Sequence, residues 1–142
     1  MSIEYCIRIA CTREHIFAIY KDINSWPQWD PDIENVGLDG EFTEGTRGWL
    51  KPVGAPKTAT RMTSVNEPAS FSVESKIPFC TMTFEHELKA VDNATEVTHR
   101  VVFSGALAPV FSRIIGSKIR KGIRGTMEGL KQYAESCNPP DA

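Results

Sequence analysis

The last third of the chain carries the tightest constraint on its fold. From Leu107 to Ala134 the apolar residues fall at Leu107, Val110, Phe111, Ile114, Ile115, Ile119, Ile123, Met127, Leu130, Tyr133 and Ala134. Steps of three and four dominate, the mark of one apolar stripe on a 3.6-residue helix. About 28 residues at ~1.5 Å each give a rod of roughly 42 Å. A compact chain of 142 residues has a radius of gyration of about 14 to 15 Å, hence a diameter under about 40 Å. The helix therefore crosses the whole molecule, and the rest of the chain must pack along it. A curved sheet closed over one helix tends to enclose space.

The remainder reads as short strands. Residues 3–11 alternate, with Ile3, Tyr5, Ile7, Ile9 and Cys11 on one face, as in a half-buried strand. Thr12 is placed to cap a short helix that buries Ile16, Phe17, Ile19 and Tyr20. The segment Asp22 to Pro31, with two prolines and two tryptophans, permits only a turn of helix. Strands are expected at 33–38, 46–52, 58–66, 70–77, 79–91 and 94–104. The connections carry breakers: Gly40 and Gly45, Pro52 to Pro56, Pro68, Pro78 and Asp92-Asn93. The order is strand, two short helices, six strands and the long helix. Short turns between successive strands make the sheet antiparallel. The expected class is α+β: seven antiparallel strands curved over a long C-terminal helix. One domain spans 1–136, and 137–142 is expected to be a flexible tail.

Composition narrows the function classes. An apolar fraction of 41% with 24% charged residues is ordinary for a globular domain. The net charge of −2 provides no global field toward nucleic acid or anionic membrane. No apolar run reaches the ~20 residues of a membrane span, and the N-terminus lacks a signal-peptide pattern. Cys6, Cys11, Cys80 and Cys137 form no CxxC pair and no metal spacing with histidine, so free thiols and a cytoplasmic location are expected. No cofactor or metal motif, nucleophile elbow or phosphate-cradling loop is present. Lys118, Arg120, Lys121 and Arg124 make the long helix locally basic, which is either a solvated face or a phosphate or membrane contact. Gly116, Gly122, Gly125 and Gly129 are costly in a helix, about 1 kcal/mol each against alanine. They mark either close approach by another element or reduced stiffness.

The last hairpin carries the sharpest local inference. With Asp92 and Asn93 as a two-residue turn, Leu88 faces Val97, Phe84 faces Val101, Met82 faces Phe103 and His86 faces His99. Two imidazoles then lie side by side on the concave face, their Cβ atoms ~5 Å apart. Burying both without partners costs several kcal/mol, so each needs a hydrogen bond or open space. They are either a polar patch for a ligand carbonyl or proton shuttle, or a structural pair bonded to each other or to water. On 70–77, Phe71, Val73, Ser75 and Ile77 form the apolar face. Arg61 is inward if Val65 is, where it can meet a carboxylate or an enolate, and is solvated if Met62 is the inward residue. Trp26 and Trp29 either plug one end of the cavity as core, which is the expectation, or gate it.

Several segments resemble the START/Bet v1-like (SRPBCC) superfamily, most of all its polyketide cyclase/dehydrase-like branch. They are Ile23-Asn24-Ser25-Trp26-Pro27-Gln28-Trp29-Asp30-Pro31-Asp32-Ile33, the spaced Gly40…Gly45-Thr46-Arg47-Gly48, and Thr95-Glu96-Val97-Thr98-His99…Phe103-Ser104-Gly105 running into the long helix with Leu130-Lys131…Ala134-Glu135 near its end. The resemblance implies a helix-grip fold with a deep pocket between sheet and helix. It also implies relatives that bind lipids, sterols, hormones or polyketides, some of which cyclise polyketide chains. The expected function is binding of a small hydrophobic ligand, lipid- or polyketide-like, in that internal cavity. The alternative is an aromatase/cyclase-type enzyme with His86 or His99 as general acid/base and Arg61 stabilising an enolate. Strand parity and the tryptophan motif, not inherited assignments, nominate Arg61, Phe71, Val73, Ser75, Met82, Phe84, Val101, Phe103 and Trp29 as ligand contacts.

Overall fold

A computed structural model of the chain describes residues 2–136; Cys137 and the expected tail lie outside them. The elements run β1 (Ser2–Ile9), α1 (Arg13–Lys21), a 3-10 turn (Ile23–Ser25), α2 (Trp26–Trp29), β2 (Ile33–Leu38), β3 (Arg47–Pro52), β4 (Thr58–Asn66), β5 (Ser70–Ile77), β6 (Cys80–Val91), β7 (Ala94–Ser104) and α3 (Ala108–Ser136). One seven-stranded sheet has the order β1-β7-β6-β5-β4-β3-β2, with every neighbouring pair antiparallel. The first strand thus pairs with the last, the helices α1 and α2 bridge from one edge of the sheet to the other, and α3 lies across the concave face. This is the helix-grip arrangement.

Local chemistry accounts for the boundaries. The Thr12 hydroxyl accepts from the His15 N–H at 3.1 Å and starts α1. Pro27 sits in the first turn of α2, where its missing N–H costs nothing. Asp92 takes a left-handed φ of +54° at the tip of the β6–β7 hairpin. Arg100 joins three strands on the convex face, bonding Glu4 at 2.9 Å, Glu85 at 2.8 Å and Glu87 at 2.6 Å.

Two apolar clusters fill the grip. The larger gathers Ile9, Ile16, Phe17, Tyr20, Trp29, Met62, Phe71, Leu88, Val97, Met127, Leu130 and Ala134. The smaller gathers Ile3, Cys80, Met82, Val101, Phe103 and Ala108, with half-buried Phe84, Phe111, Ile115 and Ile119 against it. The helix stripe is narrower than its spacing suggests: Leu107, Val110 and Ile114, expected inside, are exposed.

Two helix glycines have a clear reason. A Cβ on Gly129 would collide with the Trp29 carbonyl, and one on Gly122 with the Asp32 carboxylate. The α2–β2 connection therefore lies directly on the helix backbone, which decides in favour of close approach at these positions. The same contact is bonded: the Thr126 hydroxyl donates to Asp30 at 2.9 Å.

Candidate ligand site

The site is built from the β6–β7 hairpin, β5 and α1. Register sets His86 opposite His99 and Phe71 opposite His86. The two imidazole centroids are 4.4 Å apart and nearly perpendicular. Phe71 stacks on His86 at 4.0 Å with an interplanar angle of 4°. The His86 Nδ1–H donates to the Phe71 carbonyl at 3.2 Å. Tyr20, reaching in from α1, lies 2.6 Å from His99 Nε2 through its hydroxyl. It also contacts Phe71 and His86 edge-on at centroid distances of 4.8 and 5.5 Å.

This arrangement holds both histidines neutral. Burial lowers His86 to about 4, against the hydrogen bond to Phe71, which pulls the other way. Burial lowers His99 well below its ordinary value, and the neighbouring His86 adds to this. Burial pushes the Tyr20 phenol well above 10, with Asp30 contributing, so Tyr20 stays protonated and can donate to a neutral His99. Protein surrounds both imidazoles closely enough to strip their hydration, yet each remains half-buried while Tyr20 and Phe71 beside them are sealed. Asp30, beneath α3, is raised to about 6 by burial, against the bonds from Asp32 N–H and Thr126.

The remaining predicted contacts divide. Phe71, Ser75, Met82, Val101, Phe103 and Trp29 are buried and Val73 and Phe84 half-buried; the apolar members among them belong to or border the two clusters. Ser75 Oγ and Trp29 Nε1 are buried without a hydrogen-bond partner among the described residues. Arg61 does not belong to this group. It lies exposed, 3.4 Å from Glu74 on the outer side, while Met62 is the buried neighbour. A register shift between Met62 and Ser64 explains the error. The extra residue lets Met62 and Val65 both pack inward, so parity counted back from Val65 puts Arg61 on the wrong face. Tyr20 is the residue that sequence reasoning missed as a polar partner. Its signal was available: a tyrosine on the buried face of α1 needs a bond for its hydroxyl.

The interior is fuller than expected. A hollow of about 30 Å³ lies among Ile23, Trp26, Val36, Leu38, Phe42 and Met62. Another, of about 130 Å³, lies beneath the start of α3 among Ser2, Ile3, Phe103, Ser112 and Arg120. Both are below the roughly 300 Å³ at which drug-sized ligand sites begin. Among the described residues no group of three or more histidine, cysteine or acidic side chains is placed to hold a metal.

Residues 1–135 match the family model described as polyketide cyclase / dehydrase and lipid transport. The chain belongs to that family. Solved structures place it within the Bet v1-like (SRPBCC) fold. TTHA0849 from Thermus thermophilus aligns with a TM-score of 0.77 at 10% identity, covering 98% of this chain and 100% of that one. Ara h 8.0201 aligns at 0.76 and 16%, covering 96% and 98%. Norcoclaurine synthase from Thalictrum flavum aligns at 0.71 and 12%, covering 94% and 85%. Identities this low speak for the fold alone. Comparison of the sequence with curated proteins finds no match. No helix among the described residues is long and apolar enough to cross a membrane.

Proposed function

We propose that this family member binds a small hydrophobic ligand, lipid- or polyketide-like, between the sheet and the first half of α3, its polar end against His86, His99 and Tyr20. The observation that carries the reading is the pair of neutral, half-buried imidazoles on an otherwise apolar concave wall. Neutral histidine and a protonated phenol suit a carbonyl or hydroxyl better than a fixed charge. Buried Ser75 Oγ, lacking a partner, adds a donor on the same face. Family membership and the half-barrel sheet support a ligand-binding role. Because the present hollows are small, α3 must move outward to admit the ligand. Its first half is the part to do so: beyond the small buried Ala108, Ser112 and Gly116, it rests on the sheet through Phe111, Ile115 and Ile119, which are only half-buried.

The 2.6 Å contact between Tyr20 and His99 favours a second reading, an aromatase/cyclase-type enzyme. There His99, relayed by Tyr20, or His86 serves as general acid/base for aldol closure and dehydration. Arg61 has no part in it. Native mass spectrometry of the purified protein separates the readings from a simple structural domain. A co-purified or added hydrophobic ligand that remains bound, and is lost in Phe84→Ser, supports binding; no retained ligand under any loading contradicts it. Turnover with a bell-shaped pH profile that disappears in His99→Ala, with the fold intact, establishes the enzyme.

A further inference from the structure

The large exposed apolar side chains gather at one end of the molecule: Phe79 at 75%, Ile114 at 67%, Val53 at 51%, Val110 at 49% and Leu107 at 36% exposure. Antiparallel topology puts the β3–β4, β5–β6 and β7–α3 connections, which hold Val53, Phe79 and Leu107, at this same end. Leu107, Val110 and Ile114 form one outward stripe on the opening turns of α3. Phe79 is held beside them: its carbonyl accepts from the Leu107 N–H at 2.9 Å. A Cβ on Gly105 would press on that carbonyl at 2.7 Å, so the turn sits tightly on the helix start. Phe79 also occupies a left-handed φ of +59°, where Gly or Asn is the easy choice. The chain holds an aromatic ring in water at a position that a small polar residue would fill with less strain.

Charge on α3 has one sign until Glu128, although the α2–β2 connection brings the exposed Asp32 against Gly122 and beside Val53. Along α3 the first acidic residue is Glu128, and Arg113, Lys118, Arg120, Lys121 and Arg124 precede it, all exposed. Arg113, Lys118, Arg120 and Lys121 make no ion pair among the described residues. Lys118 and Lys121 continue the very stripe that Leu107, Val110 and Ile114 begin. The connections at the opposite end carry Asp39, Glu41, Glu44, Glu67 and Asp92. The net charge of −2 conceals this run of cations along α3.

We propose that this end is a docking surface for an anionic lipid bilayer, with Phe79, Val110 and Ile114 inserted at the headgroup boundary and Lys118 and Lys121 on the phosphates. An apolar wedge backed by unpaired cations matches a surface that is apolar beneath and anionic on top, and each surface cation is worth about 1 kcal/mol there. This goes beyond the interior ligand reading and does not depend on it. The test is co-sedimentation of the purified chain with vesicles of phosphatidylcholine mixed with phosphatidylglycerol, against phosphatidylcholine alone. Binding to the mixed vesicles is expected, weakening as salt rises. Phe79→Asn with Ile114→Gln, and separately Lys118→Glu with Lys121→Glu, should each lower the partition coefficient about ten-fold or more. All four positions are exposed, so the melting temperature should hold and serves as the folding control. Absent binding, equal binding to both vesicle types, or indifference to either variant pair overturns the proposal. So does a concentration-dependent dimer that Ile114→Gln dissolves in a protein that ignores vesicles. None of these failures touches ligand retention in the interior.

Discussion

The two halves of α3 meet the sheet in different ways. The second half is fastened. Met127, Leu130 and Ala134 are fully buried, and Thr126 bonds Asp30. The Lys131 ammonium donates to the Arg8 carbonyl at 2.9 Å, Glu135 accepts from the Ala10 N–H at 3.0 Å, and His15 Nε2 donates to the Ala134 carbonyl at 3.1 Å. The first half also buries Ala108, Ser112 and Gly116, but its large apolar side chains Phe111, Ile115 and Ile119 are only half-buried, and Val110 and Ile114 face solvent. Large side chains are thus sealed in the second half and only half-covered in the first, which is the half that the proposed ligand would have to displace.

The strongest way to break this contrast is to wedge the fastened half. Gly129→Val puts side-chain atoms onto the Trp29 carbonyl, which is backbone and cannot turn aside. A loss of about 3 kcal/mol or more is expected in a denaturant titration. The matching change in the loose half, Gly116→Ala, meets only the flexible tip of Ile3 at 3.2 Å.

Next in size is the pH dependence of stability. His86 falls from its ordinary value to about 4 on folding. Its contribution is complete above pH 6.5 and is lost as pH drops toward 4, about 3 kcal/mol in all. His99, shifted in the same direction, adds to this. Asp30, raised to about 6, has the opposite sign: its contribution is present at low pH and lost as pH rises through 6. The expected result is stability falling from pH 6.5 to 4, and falling more steeply in Asp30→Asn, where the opposing titration is gone. Calorimetry across that range checks both slopes.

How much of this was readable in advance depends on whether a contact is local. The β6–β7 register followed from a two-residue turn, and the pairing of His86 with His99 from counting outward. The reach of α3 followed from its spacing. Arg61 failed because one bulged residue in β4 inverts parity, and a bulge leaves no periodic trace. Val110 and Ile114 failed because threes and fours can be drawn along more than one face of a helix. The Tyr20–His99 bond joins residues 79 apart in sequence, so only the general need to satisfy a buried hydroxyl pointed to it. The glycine pattern could not choose between softness and close approach until the α2–β2 connection was seen lying on Gly122 and Gly129.

Smaller effects sharpen the site. Tyr20→Phe removes a buried partner of His99 and is expected to cost about 1 to 3 kcal/mol by thermal unfolding. Gly116→Ala, with its helix-propensity gain of up to ~1 kcal/mol set against a small steric shift, should be neutral or slightly stabilising. A large loss there would mean that the two halves are equally tight.

The most direct test of the ligand account is an NMR titration with 1-anilinonaphthalene-8-sulfonate, following the imidazole signals of His86 and His99 and the methyl signals of Ile115, Ile119, Leu130 and Ala134. Saturable shifts at the two histidines and at Ile115 and Ile119, with Leu130 and Ala134 unmoved, are the predicted result. Shifts confined to exposed side chains such as Ile114, with both imidazoles silent, would contradict it.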